Sequence, residues 1–486
     1  MPEYDYDIAV IGGGAAGLTV TAGAARAGAR TLLVEKEPSL GGDCLHYGCV
    51  PSKTLIKTAR VFYQMKTASR FGLPDISVPP INYGKVRDRI MEVIAAIQPH
   101  DSPERFCKLG AEVLFGRAEF MDEHQVLIAA NNGTTRKVTA KTWVLATGSV
   151  PAVPDLEGLD QTPYLTNREI FYLDELPSSL VILGGGSIAV EMAQAFARLG
   201  SQVRVIQRSS RILSSEDPDM SAVVQSALER DGVKFHLDTQ LLRVKDLGIE
   251  KEVIFKDNRD LETSVRGKYL LLALGRKADI ERLNLDNAGV AYDHAGVQVD
   301  RRMRTTQKHI FACGDVTGEY QYTHAAGYEG GVVVTNAVFH IPRKADYTWM
   351  PVSTYTDPEF AGLGLNEVKA GEQNIEYTVW TENFADNDRG MAEGEPLGKI
   401  KLLLDKKDNP LGVRIVGSRA GELTSEWVAV LNGKVKLSAM INAVHPYPTL
   451  AEINKKVAGQ YLSEKIFSDR VRKTLRFFFG FKGRAC

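Results

Sequence analysis

The feature that most constrains the fold of this chain is a strand, glycine turn and helix unit that occurs twice. Asp7-Ile8-Ala9-Val10-Ile11 is a short apolar run with β-branched residues, followed by Gly12-Gly13-Gly14-Ala15-Ala16-Gly17 and an Ala-rich helical stretch to Ala27. A second strand, Arg30-Thr31-Leu32-Leu33-Val34, ends in Glu35, 23 residues past Gly12. Glycine at Gly12, Gly14 and Gly17 lets the backbone approach a pyrophosphate at the helix N-terminus, and a carboxylate about 20 residues on bonds an adenosine ribose. A ligand-free Gly-rich turn is the alternative; strand, helix and terminal Glu in register favour a dinucleotide site.

The pattern recurs at Leu180-Val181-Ile182-Leu183, Gly184-Gly185-Gly186-Ser187-Ile188-Ala189, a helix through Leu199 and a strand Gln202 to Ile206. Gly184, Gly186 and Ser187 are its candidate nucleotide contacts. Counting 23 residues from Gly184 gives Gln207, the counterpart of Glu35. Gln removes the charge that would repel a ribose 2′-phosphate, and Arg208 and Arg211 stand next in line to bind one. NADPH is therefore expected over NADH. Two such units predict an α/β chain with two Rossmann-like domains. Two short strands ending in glycine, Thr142 to Ser149 with Thr147 and Gly148, and Leu270 to Arg276 with Gly275, mark boundaries near residues 150 and 275.

A chain of 486 residues exceeds one core and fits about three or four domains of about 100–200 residues. Net charge is −1, so no sequence-wide field favours nucleic acid. The start of the sequence carries no signal-peptide pattern, and no stretch approaches the roughly 18 apolar residues of a membrane span, so a cytoplasmic protein is expected. Five cysteines, Cys44, Cys49, Cys107, Cys313 and Cys486, are too sparse for a secreted disulfide scaffold. Cys44 and Cys49 stand apart, in Gly41-Gly42-Asp43-Cys44-Leu45-His46-Tyr47-Gly48-Cys49-Val50-Pro51-Ser52-Lys53. Thiols at that spacing can close a small disulfide ring. Pro-Ser-Lys reads as a helix opening, where unpaired N–H groups lower a nearby thiol pKa, so Cys49 is placed to be a stabilised thiolate. Cys107 and Cys313 have no partner spacing and are expected to be small buried hydrophobes.

These elements together, with the GGxCxxxxGCxPSK run, the ATGSxPxxP run and Phe311-Ala312-Cys313-Gly314-Asp315-Val316, resemble the FAD-dependent pyridine nucleotide–disulfide oxidoreductases, the group that includes dihydrolipoamide dehydrogenase, glutathione reductase and mercuric reductase. The resemblance spans nearly the whole chain. It implies an FAD domain split between residues 1–150 and 276–346, an NAD(P)H domain at 151–275, and a C-terminal α+β interface domain at 347–486 that makes a homodimer. By the same resemblance Cys44 exchanges with substrate, Cys49 touches the flavin, and Lys53 and Glu191 form an ion pair near the flavin. Lys36, Gly42, Asp43, Lys53, Thr147, Gly148 and Asp315 join the implied FAD contacts, and Gly275 the implied cofactor contacts. Electrons would run from NADPH through FAD to the Cys44–Cys49 disulfide.

One segment departs from the family pattern. Disulfide reductases carry a catalytic His five residues before a C-terminal Glu, acting from the partner subunit; here Tyr447 stands five before Glu452, within His445-Pro446-Tyr447-Pro448-Thr449. A phenol of reference pKa about 10 is a poor proton shuttle beside an imidazole near 6.5. Mercuric reductases resemble the chain here, with a Pro-Tyr before the Thr, and a thiolate-bound soft metal needs nucleophilic sulfur more than a general acid. The expected substrate is therefore a thiol-bound soft metal such as Hg(II), or a small disulfide. Against that branch, the C-terminal cysteine pair is reduced to Cys486 and no metal-binding domain is expected ahead of the first strand. A dihydrolipoamide dehydrogenase-like reductase using His445 and Glu452 is the rival, and a non-catalytic flavin-binding redox sensor the alternative of another class. The basic and aromatic run Arg470 to Lys482 can touch a membrane or an anionic partner, but its aromatic density is expected to be buried as a terminal helix on the dimer.

Overall fold

The computed structural model describes residues 3–483; Cys486 lies outside them. The described residues form two compact units, 3–208 with 239–346, and 209–238 with 347–483. In the first unit Tyr6–Ile11 is the central strand of a parallel sheet, flanked by Thr31–Glu35 and by Thr135–Leu145. Ala111–Phe120 extends the sheet beyond Thr31–Glu35, and Ile310–Ala312 extends it beyond Thr135–Leu145. Near-continuous apolar runs suit strands covered on both faces. Gln125–Ala130 joins Ala111–Phe120 antiparallel to Thr135–Leu145. Trp143, Phe120 and Val138 are fully buried in the core beneath.

The second glycine unit builds another parallel sheet, with Ser179–Leu183 between Tyr269–Leu272 and Gln202–Ile206. Its helix, Ser187–Leu199, packs against an 18-residue helix, Cys49–Lys66. That longer helix buries Pro51, Ser52, Leu55, Ala59 and Phe62 on one side. It opens at Cys49, two residues ahead of the Pro from which the sequence predicts it, and Pro51 takes a first-turn position that needs no N–H donor.

The second unit carries a five-stranded antiparallel sheet in the order Val352–Thr354, Glu359–Gly364, Pro410–Gly417, Lys399–Asp405, Tyr377–Asn383. Helices Ala420–Asn432 and Glu452–Ile466 share its core through Trp427, Leu431, Ile453 and Val457. The segment 209–238 is bound to the sheet by charge: Arg414 donates to Glu216 at 2.9 Å, and Lys401 lies 3.2 Å from Asp217 and 2.8 Å from Asp219. One expectation about burial changes. Cys313 is fully buried, but Cys107 is exposed, because Phe106 takes the inward position of the short helix Pro103–Leu109. The terminal helix Asp469–Phe479 buries none of its residues against its own chain.

Candidate active site

The first glycine turn is shaped by close approaches. A Cβ on Gly17 would fall 1.8 Å from the Gly12 carbonyl oxygen, and one on Gly12, at φ 110°, 2.2 Å from that of Ala146. Only glycine brings strand and helix that close. The outer side is open, since a Cβ on Gly14 would meet nothing nearer than 4.0 Å and one on Gly148 nothing at all. Glu35 is buried at the end of its strand and accepts from the Gly13 N–H at 2.6 Å and the Glu37 N–H at 2.7 Å. Burial raises its pKa, against those two backbone donors. Thr147 Oγ1 is buried without a hydrogen-bond partner beside that open space. A glycine cradle, a carboxylate at its rim and an unsatisfied hydroxyl fit a dinucleotide.

Arg276 organises the far side of this region, and sequence reasoning gave it no role. Its guanidinium donates to Asp43, to Ser149 Oγ at 2.6 Å and to the Ser149 carbonyl at 2.8 Å. Ser149 Oγ in turn donates to Asp315 Oδ2 at 2.6 Å. Asp43 also accepts from Asn167 at 3.2 Å. Lys36 is ion-paired with Asp279. Burial raises the Asp315 pKa, with the Ser149 hydrogen bond and Arg276 opposing it. The adjacency of Arg276 to Gly275, just past a strand end, was the available signal.

Cys44 lies on a short helix, Gly42–His46, and Cys49 opens the long one. Both are thiols in the structure, with Cys44 partly buried and Cys49 exposed. A hydrogen bond with Cys44 lowers the Cys49 pKa to about 6; the Thr323 hydroxyl, 3.3 Å away, and the Lys53 ammonium act in the same sense against desolvation. Cys44 is correspondingly pushed up, by that same hydrogen bond and then by burial. Lys53 Nζ is 2.9 Å from Glu191 Oε2, and Glu191 is 5 % exposed. One turn of helix separates Cys49 from Lys53, and the pair with Glu191 spans the packed helices.

In the second glycine turn Gly184 has φ 111°, Gly186 and Ser187 are exposed at the helix start, and a Cβ on Gly186 or Gly275 would meet nothing within 4 Å. The Gln207 side chain lies beside Gly185, as that of Glu35 lies beside Gly13. Arg208 is exposed. Arg211 belongs to the other unit and donates to the carbonyl oxygens of Ser214, at 2.9 Å, and Glu216, at 3.4 Å.

In the second unit His445 Nε2 lies 2.9 Å from Glu426 Oε1 and Nδ1 3.3 Å from the Ala443 carbonyl. The other Glu426 oxygen accepts from Asn454 at 2.9 Å, and Asn454 Oδ1 accepts from Trp427 Nε1 at 2.9 Å; Asn454 and Trp427 are fully buried. Glu452 is not the partner of His445: its carboxylate meets the Thr449 N–H at 3.4 Å. Tyr447 is exposed and donates to Asp388 at 2.9 Å, which raises its pKa. Glu426 had no sequence signal, because it lies on the helix Ala420–Asn432, 19 residues before His445 in a loop, and only the fold joins them.

The family described as pyridine nucleotide-disulphide oxidoreductase matches residues 6–330, and its dimerisation domain matches residues 350–458. A mercuric reductase of Streptomyces lividans is 32% identical over 461 residues, covering 94% of this chain and 97% of that protein. A dihydrolipoyl dehydrogenase of Bacillus subtilis is 33% identical over 448 residues, covering 92% of this chain and 96% of its own. A Cu(II) complex of the HOCl-induced flavoprotein disulfide reductase RclA from Escherichia coli superposes with TM-score 0.84 at 25% identity, over 95% of this chain and all of that one. The chain belongs to the pyridine nucleotide-disulphide oxidoreductases, a family of FAD-dependent enzymes that also use a pyridine nucleotide.

Proposed function

We propose that this protein uses NADPH to reduce a thiol-bound soft metal ion, Hg(II) being the model substrate, through Cys44 and Cys49. Residues 1–150 and 276–346 would hold FAD, 151–275 the nicotinamide nucleotide, and the domain at 347–486 would carry the homodimer interface. Gly12, Gly14, Gly17, Gly42, Glu35 and Lys36 would line the adenosine and pyrophosphate side, with Asp43, Thr147, Gly148 and Asp315 toward the ring system. Gly184, Gly186, Ser187, Gly275 and Arg208 would take the nucleotide. FAD held there would supply two-electron transfer from the nucleotide, which would open the Cys44–Cys49 disulfide to two thiols and then reduce the metal ion those thiolates hold.

The asymmetry of the two thiols carries the proposal. A Cys49 thiolate, held by Cys44, Thr323 and Lys53, suits the thiol that would face the flavin, and Cys44 is left to exchange thiol ligands with the incoming metal. Glu191 anchors the Lys53 ammonium so that its charge stays near Cys49. Soft thiolates select soft metals, and reduction of a dithiolate-bound ion needs no acid for a sulfur leaving group. Gln207 carries no charge to repel a 2′-phosphate.

The pairing of His445 with Glu426 supports a second reading, reduction of a small disulfide with His445 of a partner subunit as proton shuttle. A carboxylate on one ring nitrogen orients an imidazole for that task. The test is anaerobic titration with NADPH and NADH, then steady-state turnover with mercuric ion in excess thiol, lipoamide and glutathione disulfide. NADPH-driven mercuric turnover that survives His445→Ala is expected. Lipoamide turnover that disappears in that variant, with none on mercuric ion, would establish the second reading.

A further inference from the structure

We propose that the helix Asp469–Phe479, with its continuation to Gly483, docks this protein on the surface of an anionic lipid bilayer. Val471, Leu475, Phe478 and Phe479 recur at intervals of four, three and one, which puts them on one face of a helix. Arg470, Arg472, Lys473 and Arg476 occupy the flanks and the opposite face, and Lys482 follows the helix. At its C-terminal end Phe477, Phe478, Phe479 and Phe481 are 83%, 70%, 68% and 59% exposed. Four neighbouring phenylalanines exposed to water form a contiguous apolar patch, which marks a surface with a partner.

Charge selects the partner. Five basic residues and one acid, Asp469, lie between residues 469 and 483, and Asp469 is 3.4 Å from Arg472. A two-fold contact of this helix with its copy would set basic flank against basic flank. The family's dimerisation domain also ends at residue 458, before the helix begins. An apolar face with cationic flanks is the form that lies in a bilayer interface, its aromatic side chains among the acyl boundary and its cations among anionic headgroups. No helix among the described residues is long and apolar enough to cross a membrane, so this helix would lie on the surface.

The test is flotation of the full-length, flavin-loaded protein with vesicles of phosphatidylcholine alone and of phosphatidylcholine mixed with phosphatidylglycerol. Binding to the anionic vesicles only, reduced at 1 M salt, is expected. Each cation near such a surface is worth about five-fold in partitioning, so the pair Arg472→Glu and Arg476→Glu lowers it by more than about 25-fold. The pair Phe478→Ser and Phe479→Ser lowers it at least about ten-fold. Both variants keep the NADPH-dependent bleaching of the flavin, which controls for folding. The proposal fails if the wild type does not float with anionic vesicles or if both variants bind as it does. It fails equally if the phenylalanine variant sediments as a monomer where the wild type is a dimer, which would assign the face to a second copy of the chain.

Discussion

Cys44 and Cys49, five positions apart in sequence, are driven in opposite directions by the hydrogen bond between them, which lowers the Cys49 pKa and raises that of Cys44. The asymmetry comes from placement. Cys49 opens an 18-residue helix whose unpaired N–H groups favour negative charge, while Cys44 lies on a separate five-residue turn.

The first prediction is the pH dependence of Cys49 in the reduced protein. With its pKa lowered to about 6, the group is thiolate above that pH and is protonated as pH falls through it. Alkylation of Cys49 should rise with a midpoint near pH 6. Cys44→Ala removes the donor that contributes most, so the midpoint should move up toward the ordinary thiol range near 8.5. A midpoint that stays put in Cys44→Ala would refute the proposed source of the shift.

The second concerns Lys53 and Glu191. Lys53→Met leaves a 5 % exposed carboxylate without its cation, and breaking a buried pair from one side costs about 3–5 kcal/mol. The Lys53 side chain is 35% exposed, so solvent screening reduces the expected loss to about 1–3 kcal/mol, read from urea denaturation. Lys53→Met should also raise the Cys49 alkylation midpoint. Glu191→Gln removes the buried charge as well as the pair and should cost less.

The third is nucleotide choice. Arg208→Ala should raise the KM for NADPH by about ten-fold or more, the worth of a charge-assisted hydrogen bond of about 1.5–3 kcal/mol, and leave that for NADH unchanged. Arg211→Ala should act mainly on folding, because its guanidinium serves the Ser214 and Glu216 carbonyl oxygens. Equal KM changes for both nucleotides in Arg208→Ala would remove Arg208 from the 2′-phosphate site.

How much of this was legible in the sequence depended on the range of the interaction. The two glycine turns and the thiol spacing are local patterns, and the structure has the strands and helix of each glycine turn within a residue or two; the run Thr142 to Ser149 instead belongs to a longer strand, Thr135–Leu145, and the strand at Leu270 ends at Leu272, short of Gly275. Glu191 was reached through a family motif, and its ion pair with Lys53 forms across 138 residues. Arg276, Thr323 and Glu426 were not reached. Arg276 and Thr323 act on residues far along the chain, Thr323 on Cys49 over 274 residues, and Glu426 on one 19 positions away across a loop; no spacing rule encodes a contact made by tertiary packing. The inward face of a seven-residue helix is equally hard to read, which is why Cys107 was misjudged.

The fourth prediction separates the two candidate substrates through the C-terminal segment. Glu426 holds His445 and is itself held by Asn454, which Trp427 fixes from within the core. If His445 shuttles protons for a disulfide, His445→Ala should lower lipoamide turnover by about 10²–10⁴-fold, and Glu426→Gln should lower it less, with a changed pH profile, because the ring keeps a hydrogen-bonding neighbour without a charge. Asn454→Leu should disturb both by releasing Glu426 and should also destabilise the unit by about 1–3 kcal/mol, since it leaves the Trp427 N–H buried without an acceptor. If the substrate is a thiolate-bound metal, none of these changes should move mercuric turnover beyond a few-fold, while Cys44→Ser abolishes it. Tyr447→Phe then decides the remaining role. Its hydroxyl is committed to Asp388, so a loss of metal turnover without a loss of stability would place the phenol against the substrate.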